Sequence, residues 1–233
     1  MKLGILQTGA PPRALRAEFG DYPGMFRRLL GEGAYDYSTF DVRDGMPASV
    51  EACDAYLITG SPAAAYDHQP WIAELADFLR AASGRAGLVG ICFGHQIMAE
   101  TFGGRVEKSP KGWGIGLHHY AVRDRLAWMD EGAALAATAS HQDQVVRAPA
   151  GARVLAGSDF TPFGMLAYAD GRSVSLQLHP EFDQAFGEAL IEIGRGTTYT
   201  EDEAQRALAS YAQPDDRTRI AGWMHAFLAK SAG

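Results

Sequence analysis

A cysteine between two glycines, in the segment Gly-Ile-Cys-Phe-Gly at residues 90–94, constrains the fold of this chain most strongly. An apolar run at residues 87–91 leads into Cys92, and a helical pattern follows it. The small flanking residues permit a sharp, strained turn between a buried strand and a helix. At the N-terminus of that helix, the dipole and the free N–H groups favour a thiolate and can stabilise an oxyanion. We therefore predict that Cys92 is a nucleophile, and that Cys53, which lacks such flanks, is a buried structural residue.

Strand and helix patterns alternate along the chain and indicate an α/β fold. Apolar strand patterns occur in the first part of the chain at residues 3–7, 39–42, 55–58 and 87–91. Helical patterns lie between or after them at residues 25–30, 71–82 and 94–102. This alternation predicts a doubly wound fold, in which helices cover both faces of a mostly parallel central sheet. Further β-like runs predict a smaller mixed or antiparallel extension at residues 117–122, 144–147, 153–156, 165–168 and 174–178.

The last part of the chain is predicted to be helical, with C-terminal helices from about residue 184 to residue 231. The clearest patterns lie at residues 201–210 and 219–229, and an interruption is expected around Pro214. Acidic residues open the first of these patterns, which suits the first turn of a helix, and Thr198 or Thr200 is the expected cap. No change in composition marks a linker, so we expect one domain over residues 1–233.

A histidine is placed where the base for such a cysteine would be needed. Residues 174–178 alternate like a strand and end at His179, and the carboxyl ends of strands line the ligand crevice of open α/β sheets. Pro180 and Glu181 follow, so the carboxylate could accept the second imidazole N–H and orient the ring. By itself, His-Pro-Glu is more typical of a surface turn. Together with the Cys92 turn, it predicts a Cys–His–Glu triad.

Composition and charge exclude several classes of function. The formal net charge of -7 argues against nucleic acid as the main ligand, because phosphate binding needs clustered Lys and Arg. No apolar run approaches the roughly 20 residues that span a bilayer, and no signal peptide is indicated, so we expect no membrane partner. Two cysteines cannot form a disulfide framework, and no cluster has zinc spacing. We expect a cytoplasmic protein without a metal or a cofactor.

Two motifs resemble those of a known family. Gly-Ile-Cys-Phe-Gly-His-Gln at residues 90–96 and Gln-Leu-His-Pro-Glu-Phe at residues 177–182 resemble the motifs of class I (triad) glutamine amidotransferases. The resemblance covers roughly residues 2–182 and is closest to free-standing proteins similar to the amidotransferase domain of GMP synthase. It implies hydrolysis of the γ-amide of glutamine: Cys92 attacks the carboxamide carbon, giving a γ-glutamyl thioester and ammonia. His179 would act as general base and acid, and Glu181 would orient it.

The resemblance also implies the oxyanion hole. One backbone N–H would come from Phe93 and the other from Ser61, in the loop Thr-Gly-Ser-Pro after the third strand. Many members have glycine where this chain has Ser61. The backbone donor survives that change.

The residues that the resemblance implies for substrate binding lie in three segments. Gly60 belongs to the oxyanion loop, and Gln96 matches the position that contacts the amino-acid head group of glutamine. A third segment, similar to the family's Ser-His-x-Asp, would clamp the α-carboxylate and α-amine through Ser140, His141 and Gln142. From the residues alone, His141 and Asp143 fit a polar loop as well as they fit direct substrate contact.

Three functions remain open from the sequence. The first is glutamine hydrolysis, with ammonia passed to a separate synthetase subunit or to no acceptor, since the chain leaves no room for a synthetase domain. The second is a γ-glutamyl peptidase or γ-glutamyl-amine hydrolase that uses the same triad. The third, a non-catalytic partner-binding subunit, is disfavoured by the intact triad. The Gly-rich residues 108–116 lack the spacing of a phosphate loop and are expected to form a turn at the rim of the site.

Overall fold

The computed structural model describes residues 1–231, in which strands and helices alternate through most of the first hundred residues. The strands are, in chain order, β1 (Lys2–Gln7), β2 (Asp36–Asp41), β3 (Ala55–Ile58), β4 (Gly87–Ile91), β5 (Arg105–Lys108), β6 (Gly114–Val122), β7 (Ala134–His141), β8 (Asp143–Arg147), β9 (Arg153–Gly157), β10 (Met165–Ala167) and β11 (Ser173–Leu176). The helices are α1 (Arg16–Phe19), α2 (Tyr22–Leu30), α3 (Pro70–Ala82), α4 (Phe93–Thr101), α5 (Gln184–Gly194), α6 (Glu201–Ser210) and α7 (Arg217–Ser231).

One large sheet dominates the described residues, with the strand order β2-β1-β3-β4-β11-β10-β9-β6-β7. Neighbouring strands are parallel from β2 to β11 and antiparallel from β11 to β7. Strands β5 and β8 form a separate antiparallel pair. The predicted parallel sheet with a mixed extension is confirmed. The run at residues 174–178, grouped by its sequence with the extension, instead joins the two halves, because β11 pairs parallel with β4 and antiparallel with β10.

Side chains that alternate along the parallel strands build a separate core on each face of the sheet. On one face, Leu3 and Ile5 of β1 pack in a cluster with residues of α2 and α7. On the other, Leu6 of β1 packs in a cluster with residues of α3 and α4. Because successive side chains of a strand point to opposite faces, each core needs its own helical cover. The prediction of helices on both faces is therefore confirmed.

The sequence patterns locate most elements to within a few residues but miss two strands. Strand β7 has the sequence Ala-Leu-Ala-Ala-Thr-Ala-Ser-His, and alanine is depleted in strands, so nothing indicated it. Strand β5 is short and mostly exposed. Among the helices, α6 starts as predicted, and Thr200 is its cap, in a capping box with Glu203. Within residues 1–231, no helix combines the length and the apolar composition needed to cross a membrane.

Candidate active site

Cys92 lies at the turn between β4 and α4, in a backbone conformation that L-residues rarely adopt. Its φ is 52° and its ψ is -102°, and no other non-glycine residue of the described chain has a positive φ. Such a conformation costs on the order of 1–3 kcal/mol and persists only where the surrounding structure imposes it. Gly90 and Gly94 allow the turn to close, because a Cβ at Gly90 would lie 2.5 Å from the carbonyl oxygen of Gly94, and a Cβ at Gly94 would collide with that of Ile58.

The thiol of Cys92 is buried at the N-terminus of α4. The backbone N–H of Cys92 donates to the carbonyl of Leu176 at 2.8 Å, which ties the turn to the end of β11. The Sγ atom lies 4.0 Å from the carbonyl oxygen of Ser140. The first N–H groups of α4 have no acceptor within the helix, so they can face a negative charge that develops beside Cys92.

His179 follows β11 and is hydrogen-bonded to Glu181. Its backbone N–H donates to the carbonyl of Thr138 on β7 at 2.9 Å, which directs the side chain toward the end of the sheet. The ring Nδ1 lies 2.7 Å from Oε1 of Glu181, and both side chains are buried. Glu181 therefore fixes Nδ1 as the protonated nitrogen and leaves Nε2 for a second partner.

The charges around His179 favour its protonated form. Burial by itself lowers the pKa of His179, but the negative charges of Glu181 and Cys92, together with the hydrogen bond to Glu181, raise it well above its ordinary value. A histidine that lies between a cysteine and a carboxylate is the arrangement that activates the cysteine in enzymes with a cysteine nucleophile.

The imidazole of His179 also packs against two neighbouring residues. Phe182 stacks on one face, with ring centroids 4.0 Å apart and planes 5° apart. Gly60 lies against the ring, since a Cβ at this position would lie 3.0 Å from Cε1 of His179. Phe182 in turn packs against Tyr22 and Phe186. The ring plane is thus set by packing as well as by the hydrogen bond to Glu181.

Helix α7 supports the backbone of the His-Pro-Glu segment. Nε of Arg217 donates to the carbonyl of Pro180 at 2.8 Å, and a second guanidinium N–H donates to the carbonyl of Glu181 at 3.4 Å. No motif in the sequence indicates Arg217, because its contact depends on the packing of a helix 36 residues further along the chain.

The loop after β3, which carries Ser61, is cross-linked to the loop after β1. The Ser61 hydroxyl donates to the carbonyl of Thr8 at 2.9 Å and accepts from the backbone N–H of Ala63 at 3.2 Å. The Thr8 hydroxyl donates to the carbonyl of Gly60 at 2.9 Å. Ser61, which departs from the family pattern, therefore connects the two loops through hydrogen bonds of its side chain.

A single cavity of about 730 Å³ brings most of the predicted site residues together. Its lining includes Cys92, His179, Gly60, Ser61, Gln96, Ser140, His141 and Gln142. Two predicted residues lie outside this lining. The Phe93 side chain is fully buried against Trp71, so only its backbone N–H is available, and Glu181 lies behind His179, beside a second cavity of about 290 Å³.

Three of the predicted substrate-binding residues come from the end of β7 and the turn to β8. His141 is the last residue of β7, and Asp143 is the first of β8, so neither lies in a longer polar loop. Burial and the neighbouring histidines lower the pKa of His141 to about 3, which keeps the ring neutral. Neither ring nitrogen has a partner in the part of the chain described. The Gln96 amide donates to the carbonyl of Asp143 at 2.8 Å and to the side chain of Gln177 at 3.2 Å.

Comparisons with known proteins agree with this geometry. The family model Glutamine amidotransferase class-I matches residues 28–192. Gamma-glutamyl peptidase 3 of Arabidopsis thaliana is 29% identical over 190 residues, which cover 77% of this chain and 75% of that protein. GMP synthase [glutamine-hydrolyzing] of Thermus thermophilus is 32% identical over 175 residues, which cover 69% of this chain but only 32% of that protein.

A solved structure shows the same fold. The crystal structure of a glutamine amidotransferase from Methylobacillus flagellatus superposes with a TM-score of 0.79 at 21% identity, covering 99% of this chain and 94% of that chain. The resemblance inferred from the two sequence motifs is confirmed by the family match, which spans most of the chain. The chain belongs to the class I glutamine amidotransferase family.

Proposed function

We propose that this protein hydrolyses the γ-amide of glutamine through a γ-glutamyl thioester on Cys92. The observation that carries the proposal is the buried arrangement of Cys92, His179 and Glu181, with the thiol on a strained turn at a helix N-terminus. The family match supports the same reaction class.

The first half of the reaction acylates the cysteine. The thiolate of Cys92 attacks the γ-carbonyl carbon, and a C–S bond forms. The oxyanion that develops is stabilised by the backbone N–H groups of Phe93 and Ser61. The C–N bond then breaks, and the imidazolium of His179 gives its proton to the departing nitrogen, so that ammonia leaves and the γ-glutamyl thioester remains.

The second half releases glutamate. His179, now neutral, takes a proton from water, which attacks the thioester carbonyl. The C–S bond breaks, the thiolate of Cys92 returns, and His179 is again protonated beside Glu181. The amino-acid head group of the substrate is assigned to Gln96 and to the segment formed by Ser140, His141 and Gln142, which line the cavity on one side of the thiol.

A γ-glutamyl peptidase or γ-glutamyl-amine hydrolase is the second candidate, and the size of the cavity favours it. Pockets of about 300–1,000 Å³ take drug-sized ligands, so a cavity of about 730 Å³ can hold a ligand larger than glutamine. Gamma-glutamyl peptidase 3 of Arabidopsis thaliana aligns with most of this chain. The two candidates share the thioester and differ in the group that leaves.

The proposal also covers the acceptor of ammonia and the cellular compartment. If ammonia is the product, a separate synthetase subunit is its proposed acceptor; the aligned Thermus thermophilus GMP synthase is about three times as long as the matched region. A working thiol at Cys92 needs a reducing compartment, so a cytoplasmic location is part of the proposal.

The test combines turnover with covalent labelling. The purified protein is incubated with glutamine, and ammonia and glutamate are measured; in parallel, a glutamine-like diazoketone is added and the labelled residue is identified by mass spectrometry. We expect Cys92→Ala to abolish both turnover and labelling. The matched control, Cys53→Ala, removes the other buried thiol and should retain both. Equal labelling of the wild type and Cys92→Ala would refute the assignment of the nucleophile.

A further inference from the structure

Part of the lining of the catalytic cavity is apolar and is not needed when ammonia leaves from glutamine. We call these residues the apolar wall; they are Trp113, Phe182, Leu190, Ile193 and Tyr199. Trp113 is 37% exposed and Ile193 is 45% exposed, which is unusual for large apolar side chains beside a reactive centre. An exposed apolar surface inside a binding cavity indicates a ligand with an apolar part.

The residues of the apolar wall are held in place by packing against one another and by helix α5. Leu190 and Ile193 are three residues apart on α5 and so lie on one face of that helix. Tyr199 packs so closely on Gly194 that no Cβ would fit there. The ring of Tyr199 meets that of Trp113 edge-to-face, with centroids 5.5 Å apart. The wall is therefore preorganised to receive a side chain.

A cation without an ionic partner lies at one end of this cavity. Arg16 lines it, and its Nε donates to the carbonyl of Pro11 at 2.7 Å, which fixes the side chain. No acidic side chain of residues 1–231 pairs with its guanidinium. Tyr22 lines the same cavity. A guanidinium in this position suits a carboxylate.

Other residues of the cavity lining are polar. They include Gln96, Gln142, Asp143 and Lys108, which offer amide groups and charges of both signs. These groups suit the α-amino and α-carboxylate groups of a glutamyl moiety. A glutamyl head group has no apolar side chain, so the apolar wall and Arg16 are available to the group on the other side of the scissile bond.

We infer that the preferred leaving group is an amino acid with an apolar or aromatic side chain, so that the substrate is a γ-glutamyl dipeptide. The apolar wall takes the side chain of that residue, and Arg16 takes its α-carboxylate. Water cleaves the γ-amide C–N bond through the thioester, and the products are glutamate and the free amino acid. This inference rests on the proposed cysteine hydrolysis of γ-glutamyl amides and specifies its substrate.

The first test is a comparison of four substrates with the wild-type protein: γ-Glu-Phe, γ-Glu-Gly, γ-Glu-phenylalaninamide and glutamine. Burial of a phenylalanine side chain is expected to raise kcat/KM for γ-Glu-Phe over γ-Glu-Gly by about tenfold or more. The amide of γ-Glu-Phe lacks the carboxylate, so it should be the poorer of the two phenylalanine substrates by about tenfold.

Variants then assign each preference to its residue. Arg16→Gln should reduce the ratio of kcat/KM for γ-Glu-Phe over its amide toward one. Trp113→Ala and Ile193→Ser should reduce the ratio for γ-Glu-Phe over γ-Glu-Gly, and both sites are exposed enough for the fold to tolerate the change. The control is Arg80→Gln, an exposed arginine outside the cavity, which should leave both ratios unchanged.

The outcomes distinguish a failure of the proposed leaving-group preference from a failure of the proposed hydrolysis through Cys92. If glutamine and the dipeptides are turned over with equal kcat/KM, or if the variants leave the ratios unchanged, the leaving-group inference is wrong while the thioester chemistry stands. Unchanged ratios in the variants would also be expected if the apolar wall served to dock another protein. If no γ-glutamyl compound is turned over and Cys92 is not labelled, the proposed function itself fails.

Discussion

The imidazole of His179 lies parallel to the ring of Phe182, with centroids 4.0 Å apart and an interplanar angle of 5°. With Gly60 against the ring and Glu181 on Nδ1, this contact restrains the orientation of the ring. A residue with no acid–base chemistry of its own therefore determines where the proposed proton donor points. Phe182 acts as a positioning residue through His179.

Replacing Phe182 by leucine should reduce turnover of glutamine more than it reduces stability. Glutamine is the right substrate for this test because ammonia does not reach the apolar wall. We expect kcat to fall by about tenfold, as the ring loses its fixed plane, with a loss of about 1 kcal/mol in the free energy of unfolding. Phe186→Leu is the control, because Phe186 packs on Phe182 with centroids 4.5 Å apart. Equal losses of kcat in the two variants would contradict the positioning role.

Two substitutions of Cys92 distinguish the loss of the thiol, which should affect turnover, from the relief of backbone strain, which should affect stability. Both Cys92→Ala and Cys92→Gly should abolish turnover, but the glycine variant should be the more stable to urea by about 1 kcal/mol. A positive φ costs an L-residue on the order of 1–3 kcal/mol, and the higher backbone entropy of unfolded glycine offsets part of the gain. An alanine variant at least as stable as the glycine variant would show that the turn at Cys92 is not strained.

Glu181→Gln should lower the pKa of His179, measured from the NMR titration of its ring. The charge of Glu181 is the largest of the influences that raise this pKa, so the imidazolium should be lost at lower pH in the variant. Because the folded-state pKa is raised, the pair stabilises the fold fully below about pH 6.5, and this contribution disappears as pH rises through the raised value. The difference in unfolding free energy between wild type and variant should therefore be larger at pH 6 than at high pH. An unchanged pKa for His179 would refute this account.

Ser61→Ala and Ser61→Gly test whether the departure from the family pattern matters for catalysis. Both variants keep the backbone N–H and lose the hydroxyl bonds to Thr8 and Ala63. We expect a loss of about 0.5–1.5 kcal/mol in the free energy of unfolding. The kcat for glutamine should fall by less than about tenfold, since loss of an oxyanion donor costs about 10²–10³. A fall of that larger size would mean that the hydroxyl holds the N–H of Ser61 in place.

The parts of the site that are local in sequence could be predicted from it. The turn at Cys92 follows from the apolar run of β4, two glycines and a helical pattern within a dozen residues, and the structure has this turn. The proximity of His179 followed from the rule that strand ends share one edge of a sheet. Strand β7, which positions both Ser140 and His141, was not predicted because its alanines carry no strand signal.

The apolar wall could not be predicted, because its members belong to segments that meet only in the folded chain. Trp113 lies in the Gly-rich turn between β5 and β6, which the sequence did place at the rim of the site. Ile193 and Tyr199 come from α5 and the segment after it, and Arg16 from the start of α1. Single residues without a motif acquire a role only through such long-range packing.

The residues proposed for catalysis and most of those proposed for substrate selectivity lie in different segments of the chain. Ile91 pairs with Leu176 in adjacent parallel strands, so the proposed nucleophile, Cys92, and its proposed base, His179, follow one strand pair at the centre of the sheet. Apart from Phe182 and Arg16, the proposed leaving-group contacts come from two peripheral segments, residues 109–113 and residues 190–199. An engineer could therefore graft these two segments from another family member to exchange substrate preference, while the strand pair that holds the reactive atoms stays untouched.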